Sequence, residues 1–285
     1  MTISKKIRGA IQLFRPELPL AAGVCVVLGE IIALGSLPTV RDLLLGFACG
    51  FFLSGAALTL NDYFDIEVDK VNAPQRPLPA GLLTPSDAIL LTALATLIGL
   101  SAAILINPLA FSVSLIFWVI GVLYNWRYKA EGLWGNLMVA ASVGITFILG
   151  GIAVGQPLNR IVWFFGLIAF FIDLAEEIAG DAMDMAGDRK RASRSIALRV
   201  GRNTALRIAG SLFILVVLLS YVPFILGWLG LSYLLLVCAI NIAVILFIGR
   251  LMKSRTSEEG RSAMRGIYLS ILFGMLLFIG GRFFL

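Results

Sequence analysis

Histidine is absent from the 285-residue sequence. Its absence excludes a Ser-His-Asp triad, an HExxH zinc site, a histidine proton shuttle and histidine-ligated haem. Charge is scarce as well, at 14% of residues, against about 25% in a soluble globular domain. A chain with so little charge cannot cover itself for water. Cysteine is confined to Cys25, Cys49 and Cys238, each isolated inside an apolar segment. These read as small buried hydrophobes and not as thiol or metal centres.

What is present is hydrocarbon: 59% of residues are hydrophobic and the mean hydropathy is +0.96. Apolar windows long enough to span a bilayer, which takes about 20 residues, fall near 18–36, 41–61, 86–106, 109–126, 133–153, 159–178, 203–222, 229–250 and 264–284. The division between the seventh and eighth is the weakest, because only Pro223 and Gly227 punctuate that run. The expectation is an all-α, polytopic membrane protein of nine transmembrane helices in a single domain, 1–285. Its basic N-terminus reads as a cytoplasmic flank and not as a cleaved signal.

Placing the N-terminus inside puts 20 of the 23 Lys and Arg residues on the inner loops and helix ends, leaving Arg41, Arg160 and Arg282 outside. This positive-inside bias predicts an outer C-terminus. Ten of the 17 acidic residues lie in two clusters, Asp62–Asp69 and Asp173–Asp188, both at the inner side and four helices apart. The spacing hints at two four-helix halves, about 18–126 and 133–250, with a ninth helix at 264–284.

If the second helix continues through the first cluster, Asp62, Asp65 and Asp69 share one face about 60° wide. Asp181, Asp184 and Asp188 repeat the spacing, and Glu177 and Asp173 extend that face, whereas Glu176 and Glu67 point elsewhere. Like charges at such spacing repel, and desolvation near a membrane adds to the cost. A compensating cation is therefore expected. Oxygen-only ligands select hard ions such as Mg²⁺, which takes one or two carboxylates and completes its shell with water and phosphates. Two facing Asp stripes thus read as a cradle for a Mg²⁺-bound diphosphate. The bland alternative is a pair of acidic loops solvated at the membrane surface or paired with nearby Arg and Lys.

Asn61–Asp69 matches NDxxDxxxD, Asp184–Asp188 matches DxxxD, and Arg76-Pro77-Leu78-Pro79-Ala80-Gly81 matches RPLPxG. In these motifs, their order and their spacing, the chain resembles the UbiA superfamily of intramembrane prenyltransferases. The resemblance implies a helical bundle around a central cavity with a lateral opening to lipid. It implies that Asn61, Asp62, Asp65, Asp69, Asp181, Asp184 and Asp188 bind Mg²⁺ and the diphosphate of a polyprenyl donor. Asp65, Asp69, Asp184 and Asp188 would be the catalytic carboxylates. Diphosphate departure would leave an allylic carbocation for an acceptor to capture.

Substrate-binding candidates follow. Arg15 stands where the family has an Arg approaching the diphosphate, and it also suits a snorkelling anchor. Glu17 stands beside the first span, where many relatives carry an Asn-containing motif. Arg76 belongs to the RPLPxG segment. Tyr124, Arg127 and Lys129 lie where the family has YxxxK, with Lys129 one residue late; an aromatic belt with inner charges would look the same. Arg189 and Arg194, with Lys190 and Arg191, follow the second motif and suit either anionic lipid or an acceptor phosphate. Glu177 through Asp188 is similar to the (E)xxxDxxDxxGD pattern of the branch that forms the second ether of archaeal lipids. That branch transfers geranylgeranyl from its diphosphate to the glycerol hydroxyl of geranylgeranylglyceryl phosphate. The alternatives are an aromatic prenyltransferase for quinone synthesis and, from another class, a cation-coupled transporter. Transporter sites lie near the midplane, whereas these stripes sit at inner helix ends. The DG and AR pairs of a CDP-alcohol phosphotransferase are absent.

Overall fold

Short polar signals set the ends of the apolar helices. Thr84 caps one helix reciprocally with Asp87 and places Pro85 in its first turn; Asn107 caps the next, with Pro108 following. Both arrangements satisfy amide groups that a helix start leaves open. Gly35, at φ 69°, closes the first long helix in the left-handed conformation that other residues resist.

A computed structural model describes residues 3–190 and 193–284. Its elements are α1 (Ile3–Phe14), α2 (Glu17–Leu34), α3 (Val40–Phe64), α4 (Ile66–Asn72), α5 (Pro85–Ile106), α6 (Pro108–Trp126), α7 (Leu133–Ala153), α8 (Arg160–Lys190), α9 (Ile196–Val200), α10 (Arg202–Leu219), α11 (Val222–Ile225), α12 (Leu231–Lys253) and α13 (Ser257–Phe284). No strand occurs among the described residues. Each expected window is occupied by one long helix. The short α1 was not foreseen, and α11 fills the weak division between the seventh and eighth windows.

Among the described residues, eight helices are long and apolar enough to cross a membrane. The exception among the nine windows is α8, a continuous 31-residue helix whose apolar run carries Asp173, Glu176 and Glu177. Large aliphatic side chains such as Leu90, Leu97, Leu235 and Leu246 face outward, an arrangement that hydrocarbon tolerates and water does not.

Inside, small residues bring the helices close, as is usual where lipid supplies no hydrophobic drive between helices. Ala56, Ala140, Ala175, Ala179, Ala205 and Ala209 are fully buried. The tightest backbone approach joins α2 to α7: a Cβ on Gly29 would stand 2.1 Å from the Phe147 carbonyl oxygen, and one on Gly150 would stand 2.1 Å from that of Val26. The helices enclose a cavity of about 1210 Å³, apolar over most of its wall and polar at one end.

Candidate active site

The first acidic motif sits where α3 gives way to α4. The helix is interrupted at Asp65 (φ −92°, ψ 2°), so it does not run unbroken through the cluster. Backbone bonds nevertheless carry across, from Asp65 N–H to the Asn61 carbonyl at 3.0 Å and from Asp69 N–H to that of Asp65 at 2.7 Å. Asp62, Asp65 and Asp69 consequently stay on one inward side, only 2%, 7% and 5% exposed. Glu67 points outward, as expected, and pairs with Lys70 at 2.7 Å.

Basic residues from three separate segments converge on this motif. Arg15 pairs with Asp62. Arg76 Nη1 donates to Asp69 Oδ2 at 2.6 Å and to Asp62 Oδ1 at 3.4 Å. Lys129 donates to Asn61 Oδ1 at 2.9 Å and pairs with Asp65. Each cation is delivered by a constrained backbone. Arg15 has φ 47°, the sole positive value at a non-glycine among the described residues, a strained conformation that places its guanidinium at the α1–α2 corner. Arg76 opens a turn in which Ala80 N–H donates to its carbonyl at 2.9 Å, pinned by Leu78 and Leu83 packed against Leu13 and Ala88. Burial alone would make Arg76 easier to deprotonate, but the neighbouring Asp62 and Asp69 outweigh it and hold its pKa above the ordinary value.

Unlike the first motif, the second lies on a single uninterrupted helix, α8. Asp181 Oδ2 accepts from Asn136 Nδ2 and from the Ile196 amide, both at 3.2 Å. Asp184 Oδ1 accepts from Arg261 Nη2 at 2.5 Å. Asp188 is half-buried one turn further on, its carbonyl accepting from the Ser193 amide at 3.0 Å.

The polar end of the cavity is lined by Arg15, Glu17, Asn61, Tyr124 and Glu177. Glu176 and Asp173 line it too, which corrects the expectation that Glu176 points away. A cavity this wide reaches beyond a single narrow stripe of α8. Arg127 is exposed, with its guanidinium 6.0 Å from the Tyr128 ring centre. Arg189 is exposed, and Arg194 reaches Glu131 at 3.0 Å; none of these three lines the cavity. Arg191 lies outside the described residues. Arg261 and Arg265 of α13 and Asn136 of α7 carry no signal in the sequence, because each comes from a segment distant from the motifs.

Among the described residues, no three acidic or cysteine side chains converge closely enough to form a metal cage by themselves. A hard cation that takes one or two carboxylates and phosphate oxygens does not need one. Asp62 Oδ2 is fully buried and has no hydrogen-bond partner, which leaves a carboxylate oxygen available to a cation. The donor set and the orphan oxygen both fit Mg²⁺.

A family model described as the UbiA prenyltransferase family matches residues 22–277. The chain belongs to this family. Among UbiA relatives, the digeranylgeranylglyceryl phosphate synthase of Thermococcus kodakarensis is 30% identical over 96% of this chain and 98% of its own. That of Methanopyrus kandleri is 33% identical over the same shares. A solved structure from work on digeranylgeranylglyceryl phosphate synthase in membranes aligns with a TM-score of 0.74 at 28% identity, covering 98% of this chain and 99% of the other. A UbiA homologue from Archaeoglobus fulgidus, bound to GPP and Mg²⁺, aligns at 0.67 with 19% identity over 94% and 98% of the two chains; this last likeness concerns the fold alone. As a UbiA member with this many apolar helices, the chain is a multi-pass membrane prenyltransferase, and the transporter alternative falls away.

Proposed function

We propose that this protein transfers a geranylgeranyl group from geranylgeranyl diphosphate to the glycerol hydroxyl of geranylgeranylglyceryl phosphate, in archaeal ether-lipid synthesis. The observation that carries the reading is the joining of a carboxylate-rich, cation-lined end to a long apolar cavity. Its volume, about 1210 Å³, exceeds the roughly 300–1,000 Å³ of ordinary small-ligand pockets. Two isoprenoid chains use such a volume better than one chain with a small aromatic acid. The relatives named for the lipid reaction, matched nearly end to end, support the same acceptor.

In this reading α8 is a ninth span, and its carboxylates are what keep it from matching an ordinary apolar helix. The motif loops and N-terminus are cytoplasmic and the C-terminus is outside. The two motifs occupy corresponding helices of two four-helix halves. Isoprenoid chains enter the cavity laterally from the lipid.

Asn61, Asp62, Asp65 and Asp69 from one side, and Asp181, Asp184 and Asp188 from the other, would hold Mg²⁺, which when bound polarises the diphosphate leaving group. Arg15, Arg76 and Lys129 hold the first motif in shape and add positive charge where the leaving group gains negative charge. The apolar wall keeps water from the allylic cation. Phe117, Trp118, Tyr124 and Phe165 offer it aromatic faces. Ether formation at the allylic carbon releases the hydroxyl proton, for which Glu177 and the departing diphosphate are the available acceptors. The deciding experiment supplies purified protein with Mg²⁺ and geranylgeranyl diphosphate, then offers the lipid phosphate and 4-hydroxybenzoate separately. Ether product is expected from the former; product from the aromatic acid alone would overturn the proposal.

A further inference from the structure

Two arginines on α13 stand apart from the cations that hold the first motif. Arg261 and Arg265 lie one helical turn apart, about 6 Å along the axis, and both line the cavity. Arg261 touches Asp184 at 2.5 Å, which sets the pair level with the second motif. Arg265 has no hydrogen-bond or ion-pair partner among the described residues. On the next turn, Tyr268 lines the same cavity and donates to the Glu17 carbonyl at 3.2 Å. The arginine stripe therefore lies where α13 meets the start of α2, whereas Arg76 and Lys129, which hold the first motif, do not line the cavity.

Two guanidinium groups at i and i+4 repel each other unless an anion lies between them. Arg261 gives Asp184 only part of its five-donor inventory, and its side chain is 57% exposed, within reach of a group held at headgroup depth. Guanidinium forks suit phosphate oxygens in paired hydrogen bonds. The acceptor of the proposed reaction is an amphiphile with a phosphate a few bonds from its reacting hydroxyl. That phosphate must bind near the donor diphosphate but not on it. A site one turn from the residue touching Asp184 meets this requirement. Arg189 and Arg194, expected from sequence to be candidates for the role, lie outside the cavity lining.

We propose that Arg261 and Arg265 form the subsite for the phosphate monoester of the acceptor lipid, while the donor diphosphate occupies the two Asp motifs. The assignment rests on the lipid acceptor proposed above. It is tested with the full-length protein in neutral detergent by titrating geranylgeranylglyceryl phosphate calorimetrically without donor, and by steady-state transfer with donor present. Arg265→Gln is expected to weaken acceptor binding and raise the acceptor KM at least tenfold, with the donor KM within twofold of wild type. Arg265→Lys recovers part of the loss. Geranylgeranylglycerol, which lacks the phosphate, is used equally by wild type and Arg265→Gln. Arg261→Gln is expected to raise the acceptor KM as well and, through its contact with Asp184, to lower turnover with either acceptor, so the subsite is judged on Arg265→Gln; unfolding curves in detergent confirm that each variant is folded.

Unchanged acceptor binding, an equal loss with the phosphate-free acceptor, or a rise confined to the donor KM would overturn the subsite. Competition by a bulk anionic phospholipid as strong as that by the acceptor would instead identify a general headgroup site and overturn the assignment. A wild-type protein that prenylates only 4-hydroxybenzoate fails at the level of the acceptor itself, a result separate from every variant outcome.

Discussion

Lys129, in the turn after α6, pairs with Asp65 at the break between α3 and α4, and the same ammonium holds Asn61 at 2.9 Å. The contact joins segments 64 residues apart and fixes the end of α3 against the 128–131 turn. That turn is itself strapped to the segment after α8, through Arg194 N–H to the Ala130 carbonyl at 2.8 Å and Arg194 to Glu131 at 3.0 Å. Lys129 is thus held against the first motif by backbone ties on both sides of its turn.

Replacing Lys129 by Met is expected to lower prenyl transfer about 100-fold, the scale of losing one preorganised donor to a developing anion. Lys129→Arg is expected to recover little, because a planar fork does not reproduce a compact ammonium that reaches both Asn61 and Asp65. Product formation from labelled donor measures both.

Asp65→Asn and Asp184→Asn remove a charge from each motif with little change of volume. Transfer is expected to fall by at least about 100-fold in each, since each motif supplies charge that the other cannot replace. Retention of near-wild-type transfer in either, in saturating Mg²⁺, would remove that residue from the catalytic set.

Chelation of divalent metal should abolish transfer and weaken donor binding together, with activity restored by Mg²⁺ and by Mn²⁺, as expected for an all-oxygen site. The first readout is turnover and the second is equilibrium binding of the donor. Full donor affinity in chelator would place the diphosphate on the arginines and Lys129 alone.

Gly150→Val tests the closest helix crossing. A Cβ at this position meets the Val26 carbonyl at 2.1 Å, so α2 and α7 must part. Overpacking of this kind typically costs about 1–3 kcal/mol, and a lowered melting temperature in detergent would report it.

Much of the architecture was legible in the sequence because the bilayer imposes a length and a composition on every crossing. The apolar windows, the small number of charges and the position of the carboxylates were local facts. So was the second Asp stripe, since a 3.6-residue period places Asp181, Asp184 and Asp188 together on any continuous helix. The family motifs added the chemistry. The break at Asp65 was not legible, because Asp62–Asp69 carries no Gly or Pro to announce it.

Composition and local spacing are enough to set a membrane-spanning helical chain, two carboxylate clusters and the exclusion of histidine chemistry. Which cations meet which carboxylates follows from how the helices pack. Arg15, Arg76 and Lys129 come from three separate segments to one motif, Arg261 comes from the last helix to the other, and Arg127 and Arg189 do not line the cavity. The reason is physical. Periodicity fixes the face of a helix on which a side chain stands, but the partner across a cavity depends on how distant helices pack.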